Sequence, residues 1–332
     1  MAIRVAVDAM GGDLAPGAVV AGAVRAAAHA GVAVLLVGPA SIVRAELQKH
    51  PAVPVQSLDL VDAPDVIGMD EPPLAALRRK PRASVKVAAE LVARREADAS
   101  FTAGHTGAGL LAAHGALGVL PSVARPALAV TVPTRTGSAV LLDAGANLEC
   151  RAEHLVQFGV MGAAYARVAL GVSEPRVGLL SIGEEAGKGP DLIREAHDRL
   201  KATPLRFIGN LDARELFSGR ADVVVCDGFT GNVALKVGEG LAELVEAMLT
   251  DELNDEAIVR AGLADGLRRF KRRVDYAEHG GAPLLGLAGL ALVGHGRSSP
   301  QAVENAILLA KRLVEGRIVE RLAESLAHDA AH

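Results

Sequence analysis

The chain has 332 residues, of which 50% are hydrophobic and 22% are charged, a balance typical of a globular protein. A net charge of −4 and an aromatic content of 2%, without tryptophan, argue against base stacking, so we expect no nucleic-acid partner. The two cysteines lie far apart without metal-ligand spacing, which indicates a reducing, cytoplasmic compartment. The N-terminus lacks a signal-peptide pattern, and the sequence has no run of about 18 apolar residues that would predict a membrane span.

The first third of the chain alternates short apolar runs with segments of helical spacing. We expect strands over 3–8, 33–37, 55–61 and 98–102. We expect helices over about 16–30, over a short segment ending near Lys49, and over 83–95, with a loop and one short helix in 64–82. Such alternation predicts a parallel sheet that is covered by helices on both faces.

The rest of the chain continues this pattern and adds one hairpin, in which the turn 133–138 joins strands 127–132 and 138–143. Residues 275–287 are expected to form a loop. The remaining predicted strands are 176–182, 205–208, 222–226 and 290–293. The remaining predicted helices are 152–169, 190–201 and 299–326.

Residues 233–274 are almost entirely compatible with helix, and we expect two helices joined near 254–264. The apolar positions at helical spacing include Leu244, Met248, Ile258, Val259 and Leu263. A helix pair of this length exceeds what a sheet needs as cover. We therefore expect one α/β catalytic domain over 1–332, from which a helical hairpin at about 238–274 projects as an arm.

Polar, glycine-containing turns follow six predicted strands, at 8–13, 102–107, 143–147, 183–189, 209–210 and 227–232. Ligands of an open parallel sheet bind outside the carboxyl ends of its strands, so we expect these turns to meet in one cleft. Glycine turns at helix N-termini also offer backbone N–H donors that bind anions. None of the turns has the dinucleotide or phosphate-loop pattern, so the sequence predicts a site for an anionic small molecule.

Four residues in or near these turns have two interpretations each. His105 could act as a general base or could cap a helix. Lys188 and Lys236 could bind phosphate or could form ion pairs in solvent. Asp227 could take part in chemistry or could be the N-cap of the helix that follows.

Two other kinds of site have weaker support. Cys226 ends an apolar strand, which favours a buried and unreactive thiol. A metal site would have to be assembled from carboxylates that stand on separate turns without a local ligand motif, so we expect none. These carboxylates are Asp8, Asp13, Asp143 and Asp227.

Nine motifs stand in a fixed order along the chain. They are DAMGGD-x-AP (8–16), MDE-P-x-x-ALRRK (69–80), AGxTGA (103–108), RPALA (125–129), LLDAGAN (141–147), GLLSIGEEAGKG (178–189), FIGN (207–210), DVVVCDGFTGNVALK (222–236) and YAEHGGAPLLGL (276–287). Together, over about residues 1–315, they resemble the phosphate acyltransferase family of bacterial phospholipid synthesis.

The resemblance implies a Rossmann-like α/β/α sandwich of the isocitrate/isopropylmalate dehydrogenase and phosphotransacetylase type. It implies an acyltransferase that moves a fatty acyl group from acyl-carrier protein to inorganic phosphate, giving acyl phosphate for phospholipid synthesis, and that needs no cofactor. It also implies a cytoplasmic homodimer that contacts membrane lipid peripherally and supplies a downstream glycerol-3-phosphate acyltransferase.

On this resemblance we expect Asp227, Asn232 and Lys188 to be catalytic, with Lys188 neutralising phosphate and Asp227 orienting or deprotonating it. The expected substrate-binding residues are Asp8, Gly11, Gly12, His105, Thr106, Gly107, Asn147 and Lys236. Family members usually carry asparagine at the position of His105. An imidazole can form one hydrogen bond much as an amide does, so activity is still expected.

The resemblance also suggests a role for the predicted arm. Two arms would pair in a four-helix bundle through Leu244 and Met248, and the tip near 258–263 would rest on a bilayer beside the basic run 268–273. An ordinary solvated helix face is the alternative. For the whole chain, the alternatives are a phosphotransacetylase that uses coenzyme A, a nicotinamide-dependent decarboxylating dehydrogenase and a non-catalytic membrane scaffold.

Overall fold

The computed structural model describes residues 2–50, 57–252, 266, 269–270 and 280–329. The strands are β1 (Ile3–Asp8), β2 (Val32–Gly38), β3 (Leu58–Asp62), β4 (Ala99–Thr102), β5 (Ala127–Leu128), β6 (Val130–Thr134), β7 (Gly137–Leu142), β8 (Arg176–Ser181), β9 (Arg206–Asp212), β10 (Val223–Val225), β11 (Ala282–Leu285) and β12 (Leu290–Val293). The helices are α1 (Gly17–Ala27), α2 (Ala40–Leu47), α3 (Pro73–Arg79), α4 (Ser84–Ala93), α5 (Thr106–Leu117), α6 (Ala152–Ala169), α7 (Asp191–Lys201), α8 (Gly228–Glu252), α9 (Pro300–Glu315) and α10 (Ile318–Asp329), and a short 3₁₀ helix covers Ala213–Phe217.

The strands form two sheets rather than the one sheet expected. The first has seven strands in the order β3-β2-β1-β4-β12-β11-β5, and the second has five in the order β6-β7-β10-β8-β9. Only Ala129 separates β5 from β6, so the chain passes from one sheet to the other at that residue. The alternation of strands and helices predicted parallel pairing correctly, but it does not show which strands share a sheet.

Helices cover both faces of the first sheet, as expected. Val5 and Val7 of β1 belong to the core cluster that contains α1 and α9, whereas Ala6 between them packs with Leu91 of α4. This division follows from the strand geometry, since successive side chains point to opposite faces. A strand segment that is buried on both faces has a continuous apolar sequence, as Val5, Ala6 and Val7 of β1 have.

The second sheet is built in the same way around β10. Val223 and Val225 pack in the cluster that contains Phe158 of α6, and Val224 packs on the other face near Leu235 of α8. Strands β7, β10, β8 and β9 are parallel, and β6 joins β7 in the predicted antiparallel hairpin. The core cluster of β1 also contains Val223 and Val225, so one apolar core spans both sheets.

Four local predictions differ from the structure. The expected turn at 209–210 lies inside β9, and the expected loop 275–287 contains β11. The final helix is two helices, because Arg317 between them has a φ of 52°. The sequence 228–232, predicted as a turn, is the first part of α8.

Of the predicted arm, the structure describes α8 up to Glu252 and, beyond it, only residues 266, 269 and 270. The predicted tip, with Ile258, Val259 and Leu263, lies outside the described residues. In the described part of the chain, no helix combines the length and the apolar character needed to cross a bilayer.

Candidate active site

A cleft of about 390 Å³ lies where the carboxyl ends of the two sheets face each other. This volume falls within the range of small-molecule sites. Three predicted site residues line it: Thr106 at the start of α5, and Asn232 and Lys236 in α8. The other polar or charged side chains that line the cleft are Asp13, Thr131, Glu239, His295 and Arg297.

Asp8, predicted to bind substrate, instead connects the turn after β1 to β4. Its carboxylate is 3% exposed and accepts hydrogen bonds from the Thr102 hydroxyl, at 2.7 Å, and from the Met10 amide, at 3.2 Å. Burial raises the pKa of Asp8, and the hydrogen bonds from Ser84 and Thr102 oppose that rise. Asp8 therefore supports the wall of the cleft and is not among the residues that line it, so the substrate-binding role expected for it stays a prediction.

Gly11 and Gly12 allow the turn after β1 to pack against the turns after β4 and β12. A side chain at Gly11 would meet the Gly104 amide at 2.7 Å. Gly12 has a φ of 107°, and a Cβ there would lie 2.8 Å from the Gly296 carbonyl oxygen. The amide of Asp13 donates to that same carbonyl at 2.8 Å, which sets the Asp13 side chain in the cleft. Glycine is needed here because backbone meets backbone, and only glycine tolerates this φ readily.

His105 is the N-cap of α5. Its Nδ1 accepts a hydrogen bond from the Gly107 amide at 3.1 Å. This contact corresponds to the helix-capping interpretation, and it is one that an asparagine side chain also makes at an N-cap. Of the residues at the start of α5, Thr106 lines the cleft, whereas His105 and Gly107 do not.

Asp227 caps the N-terminus of α8 in the same way. One carboxylate oxygen accepts from the Thr230 amide at 2.8 Å, and the other accepts from the Thr230 hydroxyl at 2.7 Å. These are the contacts of a helix N-cap. Asp227 does not line the cleft, so the catalytic role expected for it stays a prediction.

Asn232 and Lys236 stand one helical turn apart on the same face of α8. The Asn232 amide rests on the turn after β7, where a Cβ at Gly145 would lie 2.9 Å from its Nδ2. Lys236 forms an ion pair with Glu239 at 2.7 Å and reaches Nε2 of His295 at 3.4 Å. Lys236 belongs to the second sheet's wall and His295 to the first sheet's, so they meet across the cleft.

His295 and Arg297 are site residues that the sequence analysis did not identify. Burial, and then the charge of Lys236, lower the pKa of His295. Arg297 donates from its backbone amide to His295 Nδ1 at 3.3 Å and from its guanidinium to Glu243 at 3.2 Å. The signal for both was present, since 294–297 is a glycine turn directly after β12.

Two predicted site residues lie elsewhere. The Asn147 side chain is buried and donates to the Pro126 carbonyl at 2.8 Å and to Asp143 at 2.9 Å. Asp143 is fully buried, and burial raises its pKa although backbone amides such as that of Leu128 donate to it. Lys188 is exposed in the loop after β8 and is not among the residues that line the cleft, so its role also stays a prediction.

Neither a thiol nor a metal ion is indicated at the cleft. Cys226 is buried at the end of β10, as predicted, and burial raises its pKa well above the usual value. A thiol in this state is a poor nucleophile. Within the described ranges, no three His, Cys, Asp or Glu side chains are grouped so that they could hold a metal ion.

The architecture is that of the phosphotransacetylases. A phosphotransacetylase from Streptococcus pyogenes superposes with a TM-score of 0.65 at 18% identity, covering 96% of this chain and 94% of that one. A 4-hydroxythreonine-4-phosphate dehydrogenase from Klebsiella pneumoniae has a TM-score of 0.52 at 14% identity, covering 95% of this chain and 100% of that one. At these identities the likeness shows the fold alone, which is the Rossmann-like sandwich expected.

The chain belongs to the family described as "Fatty acid synthesis protein", whose pattern it matches over residues 3–321. It is 47% identical to a phosphate acyltransferase from Nostoc punctiforme, over 96% of this chain and 95% of the relative. It is also 47% identical to a phosphate acyltransferase from Nitratidesulfovibrio vulgaris, over 97% of this chain and 94% of that relative. The resemblance seen in the motifs is thereby confirmed.

Proposed function

We propose that the protein transfers a fatty acyl group from a thioester donor to inorganic phosphate. The main support for this proposal is the cleft, which is lined by side chains that can bind phosphate. The chain that forms it is 47% identical to a phosphate acyltransferase. A phosphate oxygen would attack the thioester carbonyl carbon, forming an acyl–oxygen bond as the carbon–sulfur bond breaks. The proton of the phosphate would pass to the departing thiolate, so the products are acyl phosphate and a thiol.

The side chains of the cleft suit this reaction. Lys236 and Arg297 supply positive charge for a phosphate dianion, and Thr106 places a hydroxyl at the N-terminus of α5, where helix dipoles favour anions. The Asn232 amide could donate to the oxygen that becomes negative on the carbonyl carbon. Phosphate is itself the nucleophile and a thiolate leaves readily, so the protein's main task is to position the reactants.

We infer that the donor is acyl-carrier protein rather than coenzyme A. The likeness to phosphotransacetylases is a likeness of fold, whereas the phosphate acyltransferases are related in sequence. The test supplies purified protein and phosphate with matched acyl groups on carrier protein or on coenzyme A, and detects acyl phosphate as its hydroxamate. Preference for the carrier-protein thioester supports the proposal. Equal or greater turnover of the coenzyme A thioester would make the protein a phosphotransacetylase.

We also propose that α8 forms a homodimer interface. Five exposed apolar side chains lie along one stripe of α8 at helical spacing, namely Val233, Val237, Leu241, Leu244 and Met248. Leu244 is 55% exposed and Met248 is 57% exposed, and a second copy of the same stripe would cover both. Sedimentation of Leu244→Glu and Met248→Glu variants should show monomers if the stripe pairs. An unchanged dimer would place the interface elsewhere.

Peripheral contact with membrane lipid is proposed from the sequence that follows α8, in which residues 253–265 lie outside the described part of the chain. The apolar Ile258 and Val259 and the basic run 268–273 favour an anionic bilayer. Such contact would bring acyl phosphate to a downstream acyltransferase in the membrane. Flotation with anionic liposomes should fail for Ile258→Asp and Val259→Asp variants. Flotation equal to that of the wild type would remove this role from the tip.

A further inference from the structure

A second cavity, of about 570 Å³, adjoins the cleft and is larger than it. Four residues line both cavities: Val130 and Thr131 of β6, and Leu235 and Glu239 of α8. The two cavities therefore have β6 on one side and α8 on the other in common, and they form one continuous surface. They meet beside the ion pair of Lys236 and Glu239.

One face of α8 forms the first long wall of this second cavity. Leu235, Gly238, Ala242 and Val245 line it, at spacings of three and four residues that place them along one side of the helix. This face adjoins the exposed stripe proposed to pair in a dimer, and Leu241 belongs to both. Beyond Glu239, all of the α8 side chains that line the second cavity are apolar.

The opposite wall comes from β6 and from the 3₁₀ helix. Val132 and Pro133 of β6 line the cavity, and the ring of Phe217 lies against α8. A Cβ at Gly238 would lie 2.8 Å from Cζ of Phe217, so the absence of a side chain at Gly238 leaves room for this ring. The result is a groove that begins at the charged cleft and runs between α8 and β6, and its lining is mainly apolar, with Thr134 and Arg135 as further polar members.

We propose that this groove binds the hydrocarbon chain of the acyl donor, an inference that rests on the proposed function. The thioester carbonyl must lie beside phosphate in the cleft. The hydrocarbon chain attached to it has to extend away from the charged side chains of the cleft. The adjoining groove offers apolar surface to bury that chain, and each buried methylene contributes to binding. Continuity with the cleft favours an acyl chain over a second copy of the protein, which would not need to reach the charged cleft.

The test fills the groove without touching the cleft. An Ala242→Phe variant adds an aromatic ring on the lining face of α8, while Ala247→Phe, at an exposed position that lines neither cavity, serves as the matched control. Each protein is assayed with medium-chain and long-chain acyl-carrier protein. For Ala242→Phe we expect the ratio of kcat/KM for the long chain over the medium chain to fall about tenfold or more, since one methylene can be worth that factor in an apolar pocket. Ala247→Phe should keep the wild-type ratio.

The possible results distinguish a failure of the acyl-groove proposal from a failure of the proposed function. Wild-type protein that makes no acyl phosphate from either donor would contradict the proposed function itself. An active Ala242→Phe variant with an unchanged chain-length ratio would overturn the acyl groove and leave that function intact. A Val245→Phe variant repeats the test deeper in the same face and, if Ala242→Phe does not fold, replaces it. A change of sedimentation without a change of ratio would assign the groove to a second copy of the chain, which also overturns the inference.

Discussion

Lys236 and His295 face each other across the cleft, with 3.4 Å between Nζ and Nε2. Lys236 belongs to the helix that follows β10 of the second sheet, and His295 to the turn that follows β12 of the first. Neither sheet alone would bring these groups together. The cleft therefore depends on how the two sheets are joined, and the charge of Lys236 helps to lower the pKa of His295.

Lys236→Met should raise the KM for phosphate by about tenfold to a hundredfold, because hydrogen bonds to charged groups contribute about 1.5–3 kcal/mol. The KM for the acyl donor should change much less. Initial rates at varied phosphate measure both values. Lys236→Arg keeps the charge and is the matched control. If Lys236→Met leaves the KM for phosphate unchanged, Lys236 does not bind phosphate.

The pKa of His295 should lie below its usual value of 6.5 in the folded protein, because burial and the charge of Lys236 both disfavour the protonated ring. The ring is therefore neutral at pH 7 and adds no further positive charge to the cleft. An NMR titration of the imidazole measures this pKa directly. In Lys236→Met the second cause is removed, so the pKa should rise towards 6.5. An unchanged pKa in that variant would show that the two groups are not coupled.

Asp227→Ala should destabilise the protein by about 1 kcal/mol, the usual cost of losing an N-cap side chain. Asp227→Asn should retain most of the stability and the activity, because asparagine caps helices about as well as aspartate. Chemical denaturation and the acyl phosphate assay test the two statements. A stable Asp227→Asn variant without activity would give the carboxylate the direct catalytic role that the sequence suggested.

Gly12→Ala should impair both stability and phosphate binding. The φ of 107° disfavours alanine by about 1 kcal/mol or more, and the new Cβ would press on the Gly296 carbonyl at 2.8 Å. That contact lies next to His295, so the turn 294–297 should shift. Thermal unfolding and the KM for phosphate report the two effects. Gly115→Ala, where a Cβ has open space in α5, should show neither.

Much of the fold follows from local sequence. The helix predicted over 152–169 matches α6, and the strand predicted over 290–293 matches β12. The division into two sheets could not be predicted, since it depends on which distant strands pair and on a crossing at a single residue, Ala129. Strand β11 was missed because Pro283 is one of its four residues, and a proline within an apolar run argues against a strand.

The candidate site was predictable where it depends on turns. The glycine turns identified Thr106 and the start of α8 with Asn232, and the same signal at 294–297 would have identified His295. The sequence could not show that Asp8 and Asn147 are buried and do not line the cleft, because burial is a property of the packed chain. Some polar residues at strand ends thus line the cleft, and others support its walls. Only the structure shows to which group each residue belongs.

The most direct test of the central claim follows the oxygen atoms of phosphate. Purified protein is given long-chain acyl-carrier protein and phosphate labelled with ¹⁸O in all of its oxygens, and the product is analysed by mass spectrometry. The proposed mechanism predicts acyl phosphate that retains every label, because the new bond joins a phosphate oxygen to the acyl carbon. Thioester cleavage at the same rate without phosphate, yielding only unlabelled fatty acid, would contradict it.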